Sequence, residues 1–185
     1  MNLFFVKRSL NANEVHYDAV VDTENCRWKN PYVDSYWRDL AQGDDVYSKI
    51  RWWEQGAYGF VARLESDRVI EIRLEPLESA KIHRPVTARL EPTDAGCRVT
   101  TTIVIDGVET EFKSAYIKVS DSLLPSYQYF DILGYKKGKR DSGSESDRVF
   151  ERFVKDRGMV FPEPPKWVYW RSGVVTRGLS MGRPD

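Results

Sequence analysis

The stretch Ile70-Glu71-Ile72-Arg73-Leu74-Glu75 decides the fold class, because apolar and charged side chains alternate along it one by one. Successive side chains of a β-strand point to opposite faces, so this alternation predicts a strand with one buried face and one wet face. Similar runs follow at short intervals over 57–64, 68–75, 86–91, 98–105, 108–119 and 127–133. The region therefore predicts a mainly β protein.

Turn signals separate these runs. Asp106-Gly107 suits a type I′ hairpin, and Ser66-Asp67 and the segment 94–96 are also turn-forming. Tight turns connect antiparallel neighbours, so the order of strands is predicted to be an antiparallel meander. Such a sheet can close into a lipocalin-like barrel or pack as a sandwich, and the sequence leaves both open.

The N-terminus adds two further strands, Leu3–Lys7 and Val15–Val21, on either side of a polar turn. In the second strand Val15 and Tyr17 share one face, and His16 and Asp18 share the other. The region 30–43 suits either a helix or a strand, and its aromatic residues favour a strand.

Two helices are expected. A short one lies near 45–55, and a second near 147–157 carries an apolar stripe of Val149, Phe150, Phe153 and Val154. The chain is accordingly divided into an antiparallel β domain at 1–138 and a C-terminal helix with an extended tail at 139–185 that packs on it.

Composition excludes several classes of partner. Lys+Arg and Asp+Glu both number 28, so the net charge is zero and gives no general attraction for nucleic acid. No run approaches the ~20 apolar residues of a membrane span, and the N-terminus does not resemble a signal peptide, so a cytoplasmic protein is expected. Oligomeric state is left undetermined.

Cysteine and histidine usage argues against a metal site or a cofactor. The chain has two of each, and Cys26 and Cys97 lie far apart without the spacing of a zinc site. Buried thiols are expected, with a disulfide as the alternative in an exported protein. The usual motifs for nucleotide, redox and nucleophilic chemistry are missing, so no cofactor is expected.

The N-terminal string that runs from Phe4-Phe5 through Arg8, Asn11 and Asn13 to Tyr17-Asp18-Ala19 resembles the opening of an uncharacterised bacterial family, a domain of unknown function. Later blocks follow in the same order, and these are Asn30-Pro31, Tyr36-Trp37, Ala57-Tyr58-Gly59, 129–134 and Lys137-Gly138. The resemblance covers about residues 3–138. It implies a shared β fold and a shared pocket, and it carries over no catalytic residue.

Arg8, Asn11 and Asn13 form the first candidate site. A planar guanidinium and fixed amide donors suit a carboxylate or phosphate. The alternative is structural, because the two Asn side chains can build the turn while Arg8 pairs with a neighbouring strand.

Aromatic residues supply the second candidate, a small-molecule pocket with apolar walls and a few polar groups. Trp37 and Tyr58 belong to it, and Phe112, Tyr116 and Lys118 are expected on one face of a single strand. Core packing is the alternative for each aromatic ring.

These features favour a non-catalytic binding domain for an amphiphilic small molecule, with Arg8 or Lys118 meeting its polar end. An enzyme that uses His16 or a pocket carboxylate as general base is the first alternative. A protein-interaction module that exposes the C-terminal helix and tail is the second.

Overall fold

A computed structural model describes residues 1–9, 13–40, 47–94, 96–119, 127–139, 147–154 and 158–160. Twelve strands of these residues form one branched sheet. Their bounds are β1 Asn2–Arg8, β2 Glu14–Asp22, β3 Arg27–Arg38, β4 Tyr47–Lys49, β5 Phe60–Ser66, β6 Val69–Leu74, β7 Val86–Thr93, β8 Gly96–Ile105, β9 Val108–Val119, β10 Tyr127–Lys136, β11 Arg148–Val154 and β12 Gly158–Val160. The protein is therefore mainly β, as the alternation predicts.

The sheet branches at β9. One edge of β9 pairs with β10, whereas the other edge pairs with β8 along 108–111 and with β1 along 114–117. We call β1–β4 the first arm and β5–β8 the second arm. Sequential neighbours are antiparallel throughout, which confirms the meander, and the pairing of β1 with β9 is parallel.

The core lies between the two arms. Tyr17 of the first arm stacks on Phe4 at 4.5 Å between ring centroids and meets Phe60 of the second arm edge-on at 5.5 Å. Phe4 in turn contacts Phe112 of β9 at 4.7 Å. The inner faces bury the side chains that alternation assigns to them, including Ile70, Ile72 and Leu74.

Two links join the arms, one a pair of hydrogen bonds and the other a disulfide. The Thr101 hydroxyl lies 3.1 Å from the Leu3 carbonyl and 3.0 Å from the Phe112 carbonyl, so it bridges the branch point. Cys26, in the turn after β2, forms a disulfide with Cys97 of β8. The expectation of free buried thiols is therefore wrong, because folding brings the two Cα atoms to 5.4 Å.

The described sheet is open. Its longest path of paired strands starts at β4 and ends at β5, and these two edge strands do not pair with each other. A closed barrel is thus not formed by these residues, and the two arms meet through side chains such as Tyr17 and Phe60. The central space holds packed aromatic rings.

The C-terminal helix predicted at 147–157 is wrong, because Arg148–Val154 is the strand β11 and pairs antiparallel with β10 along its whole length. Phe150 and Phe153 fit a helical stripe, but the free edge of β10 leaves backbone groups that a strand satisfies better. Phe153 is buried in the core, as its apolar character requires. Residues 161–185, the predicted tail, lie outside the described residues.

The short helix expected near 45–55 is displaced towards the C-terminus. Tyr47–Lys49 is an edge strand, and a 3₁₀ turn at Trp52–Glu54 leads into helix α1, Gln55–Tyr58. A second helix, α2 Glu75–Ser79, begins where the alternation of β6 stops, with Pro76 in its first turn. No helix among the described residues is long and apolar enough to cross a membrane.

Candidate functional site

Two residues singled out from the sequence, Arg8 and Tyr58, contact the indole ring of a third, Trp37. Trp37, near the end of β3, has the Tyr58 ring edge-on at 4.8 Å and the Arg8 guanidinium 5.9 Å from its centroid. Its indole N–H donates a hydrogen bond to Glu54 at 3.0 Å. We call these four residues, Arg8, Trp37, Glu54 and Tyr58, the Trp37 site.

Local structure fixes the groups around Trp37. The Glu54 carboxylate that accepts from Trp37 also accepts the backbone N–H of Arg51 at 2.8 Å, which closes the 3₁₀ turn. The Tyr17 hydroxyl donates to the backbone carbonyl of Tyr58 at 2.6 Å and ties α1 to the first arm. The site is thus attached to the core by side-chain bonds rather than carried on a free loop.

Two polar atoms of the Trp37 site are buried without a hydrogen-bond partner among the described residues. They are Nε of Arg8 and the hydroxyl oxygen of Tyr58. Burial raises the pKa of Tyr58 well above its ordinary value, and the nearby Arg8 charge offsets only part of that rise. Buried polar atoms normally find partners, so these two unpartnered atoms distinguish the residues around Trp37 from an ordinary packed aromatic contact.

Exposed aromatic surface adjoins the site along the chain. The side chains of Trp52 and Trp53 are 82% and 54% exposed, and their rings contact each other at 5.6 Å. The Arg51 guanidinium lies 5.1 Å from the Trp53 ring. Trp52 and Trp53 directly precede Glu54, so the 3₁₀ turn that supplies one residue of the Trp37 site also carries exposed apolar surface.

The polar turn after β1 contributes less than the sequence suggests. Asn13 is half-buried at the start of β2, and its carbonyl accepts the Arg8 N–H at 3.4 Å, which holds the two ends of the turn together. Asn11 lies outside the described residues. The structure therefore places Arg8 at the Trp37 site and Asn13 at the base of the turn.

The predicted common face of Phe112, Tyr116 and Lys118 is broken by a bulge. The register between β9 and β10 shifts between Phe112 and Ser114, so one extra residue stands on β9. Before the bulge Phe112 faces the core, and after it Ala115 and Ile117 do. Tyr116 and Lys118 are therefore turned to the opposite side of the sheet, away from Phe112 and the Trp37 site.

Tyr116 instead joins a polar cluster on the outer face of β9–β11. Its ring lies 6.1 Å from that of Tyr129, which packs 4.0 Å from the Arg152 guanidinium. Arg152 donates two hydrogen bonds, at 2.7 and 2.8 Å, to the buried Asp131 carboxylate. Burial raises the pKa of Asp131, with Arg152 opposing that rise. The sequence did not indicate the Arg152–Asp131 pair, because the apolar residues of 149–154 favoured a helix over a strand there.

The same outer face continues across the first arm with Lys7, Glu14 and His16. Glu14 lies 2.9 Å from the Lys7 ammonium and 3.0 Å from Nε2 of His16. Burial alone would raise the pKa of Glu14, but the bonds from His16 and Lys7 outweigh it and lower the pKa. The His16 ring also stacks between Phe5 and Tyr36, so its surroundings are those of a packed structural residue.

Metal ligands do not assemble in the described ranges. No group of three or more His, Cys, Asp or Glu side chains in them is placed to hold an ion. The polar clusters above are built from paired charges and aromatic rings instead.

Comparison with known protein families assigns most of the chain to a family. A family model described as a domain of unknown function, DUF4833, matches residues 4–145. That range contains most of β1, all of β2 to β10 and every residue of the Trp37 site. Neither a curated protein nor a solved structure matches the chain.

Proposed function

We propose a function from the site itself, because the chain belongs to DUF4833, a family described only as a domain of unknown function. The proposal is a non-catalytic binding protein for an amphiphilic small molecule with an anionic end. The anionic end binds at the Trp37 site, and the apolar part lies against the exposed indoles.

One observation carries the proposal. Arg8 Nε and the Tyr58 hydroxyl, both buried around Trp37, have no hydrogen-bond partner among the described residues. A carboxylate or phosphate oxygen accepts from both a guanidinium and a phenol, and bonds to a charged partner are the strongest of this kind. The raised pKa of Tyr58 keeps the hydroxyl protonated, and therefore a donor, at neutral pH.

The exposed rings of Trp52 and Trp53 supply the surface for an apolar chain. Fully burying a large aromatic surface contributes on the order of 25 cal/mol for each Å² removed from water. The ligand thus lies at the end of the core beside α1, and Arg8, rather than Lys118, is the cation that meets its head group.

Dodecanoate and dodecanol test this arrangement, because they share an alkyl chain and differ in the anionic end. Titration followed by tryptophan fluorescence is expected to show dodecanoate binding about tenfold more tightly, the effect of one charge-assisted hydrogen bond. Arg8→Gln should remove that difference.

Arg27→Gln is the matched control, because Arg27 is exposed and makes only a 3.8 Å contact with Asp67. It should keep the preference for dodecanoate. Equal affinity for the acid and the alcohol in the parent protein, or an unchanged preference in Arg8→Gln, would contradict the proposal. Native mass spectrometry of freshly purified protein then identifies any retained molecule.

An enzyme with His16 as general base stays a second hypothesis, supported by the contact between His16 Nε2 and Glu14. The other ring nitrogen lies 3.2 Å from the Asn2 amide, so a substrate would have to displace Asn2 to reach the imidazole. His16 also lies on the sheet face opposite Trp37. Loss of binding in His16→Gln with an intact Arg8 would favour this hypothesis.

The interaction-module hypothesis loses its helix, because 148–154 is a strand. Trp52 and Trp53 are exposed enough to meet a protein partner instead, and that outcome would appear as binding that Trp52→Ala removes and Arg8→Gln leaves unchanged. A bacterial origin and a cytoplasmic location stay predictions, and a disulfide of the kind seen here persists mainly in oxidising compartments.

A further inference from the structure

A polar groove of about 910 Å³ runs along the outer face of the second arm, away from the Trp37 site. Outward-facing residues of β7 and β8 form its floor, and the turn after β10 forms its side wall. Its volume lies in the upper part of the range of small-molecule sites, about 300–1,000 Å³.

The side wall is held in place by hydrogen bonds rather than by apolar packing. The backbone N–H of Gly138 donates to the Glu111 carboxylate at 2.9 Å, and Lys137 pairs with Glu109 at 3.2 Å. Lys139 N–H closes the turn on the Lys136 carbonyl at 2.9 Å. The groove is therefore a built feature of β9 and β10 and does not depend on a loose loop.

Positive charge predominates in the lining, with five basic and three acidic side chains. Glu91 is paired with Arg98 across β7 and β8. In the side wall, Lys137 pairs with Glu109, and the Gly138 N–H donates to Glu111. Arg89 and Lys139 form no ion pair with another described residue. Two of the three carboxylates are thus ion-paired, Glu111 accepts a backbone N–H, and the excess of basic over acidic side chains favours an oxyanion.

Threonine hydroxyls line the floor beside these cations. Thr100 stands directly opposite Arg89 in the register of β7 and β8, and Thr87 stands opposite Thr102. A hydroxyl both donates and accepts, and the Glu carboxylates accept, so the floor suits a ligand with several hydroxyl groups. The outward-facing side chains of the lining are charged residues and threonines, because Val99 packs against the core with Leu90, so an alkyl chain has little to bury against.

From this geometry we propose a second binding site, for a hydroxylated small molecule that carries an oxyanion, such as a sugar phosphate. Arg89 binds the oxyanion with its planar fork. Thr100 and its neighbouring hydroxyls bind the polyol part. The ligand class differs from that of the Trp37 site, and the two sites use different arms of the sheet.

Glucose 6-phosphate tests the proposal, with inorganic phosphate and glucose as the two partial probes. Amide chemical shifts of the whole chain, followed by NMR at low salt, should move in β7, β8 and the 137–139 turn. Glucose 6-phosphate should bind at least about fivefold more tightly than phosphate, since it adds hydrogen bonds to the hydroxyls.

Two variants separate the roles. Arg89→Gln should weaken glucose 6-phosphate binding by about tenfold, because one charge-assisted bond is lost. Thr100→Val should weaken the sugar phosphate and leave inorganic phosphate unchanged. Arg63→Gln is the matched control, since Arg63 is exposed on β5 and pairs with Glu65 at 3.4 Å.

Arg8→Gln should leave this binding unchanged, so failure of the Trp37 site and failure of the groove are distinguishable. The proposal is overturned if glucose 6-phosphate binds no more tightly than phosphate. It is also overturned if Arg89→Gln and Arg63→Gln lower the affinity equally, because binding would then follow the overall charge.

Discussion

The first and second arms diverge from the same strand and bury their inner faces in the same way. The ion pairs on their outer faces, however, differ in how far they are exposed to water. In the first arm the side chains of Lys7 and Glu14 pair at 11% and 4% exposure. In the second arm Arg98 and Glu91 pair at 65% and 36% exposure. Alternation along a strand identifies the core face, but it does not tell whether the opposite face is dry.

The disulfide is the covalent tie between the arms and should have the largest effect. The Cys26→Ala/Cys97→Ala double variant is expected to lose about 4 kcal/mol of unfolding free energy, because the bond closes a long loop of the unfolded chain. Urea denaturation of the parent and the variant, each with and without reductant, measures it. Reductant should destabilise the parent alone. Equal denaturation midpoints in all four samples would show that the disulfide does not stabilise the fold.

A buried ion pair on β10 and β11, on the outer face that continues into the first arm, can be compared with the exposed pair of the second arm by removing one arginine from each. Arg152→Gln leaves the buried Asp131 carboxylate without its paired donor and should cost about 3 kcal/mol. Arg98→Gln removes an exposed partner of Glu91 and should cost less than about 1 kcal/mol. Chemical denaturation measures the loss of unfolding free energy in both variants. Equal losses would show that the two ion pairs are equally exposed to water.

Glu14 sharpens the comparison through pH. Glu14→Gln should cost about 2 kcal/mol at pH 7, because Lys7 and His16 lose a charged partner. The folded pKa of Glu14 is lowered from 4.5, so its stabilisation is present above that value and is lost as the pH falls through the folded pKa. The gap between parent and variant should therefore shrink in acid.

Asp131 should behave in the opposite sense, because its folded pKa is raised above 3.8. The folded state keeps the Asp131 proton to a higher pH than the unfolded state does. The stability contributed by this group therefore falls as the pH rises from the unfolded pKa through the folded pKa. Denaturation midpoints of Asp131→Asn and Glu14→Gln, followed between pH 3 and pH 7 in steps of about one unit, distinguish the two signs. Parallel pH profiles for the two variants would refute the assignment.

A small effect is also expected at the turn that joins the second arm to β9. Asp106 and Gly107 both have positive φ, 49° and 74°, as a type I′ turn requires. Gly107→Ala should cost about 1 kcal/mol, since a Cβ is disfavoured there even though no atom lies within 4 Å of it. Gly56→Ala, in α1 with equally open surroundings, is the control and should not destabilise.

Local patterns predicted much of the fold because their causes are local. The alternation of Ile70, Ile72 and Leu74 with charged residues reports one wet face, and Asp106-Gly107 reports a left-handed turn. The same approach failed at 148–154, where Phe150 and Phe153 satisfy a helical stripe as well as a strand. Only the unpaired edge of β10 favours the strand, and that edge is not local in sequence.

Three of the predicted site residues, Arg8, Trp37 and Tyr58, lie together in the structure, and their role in binding stays a prediction. Glu54 was missed because a single acidic residue in a turn carries no signal. The bulge in β9 separated Phe112 from Tyr116 and Lys118, since one extra residue reverses every side chain that follows it.

The sequence by itself determined the β class, the meander of hairpins and the inner faces, because these depend on side-chain period and turn chemistry within a few residues. Only the tertiary structure decided the branching at β9, the Cys26–Cys97 disulfide and the strand, rather than a helix, at 148–154. Each of these depends on backbone edges or side chains far apart in sequence. Their pairing is set by which free edges and apolar faces remain once the hairpins have formed.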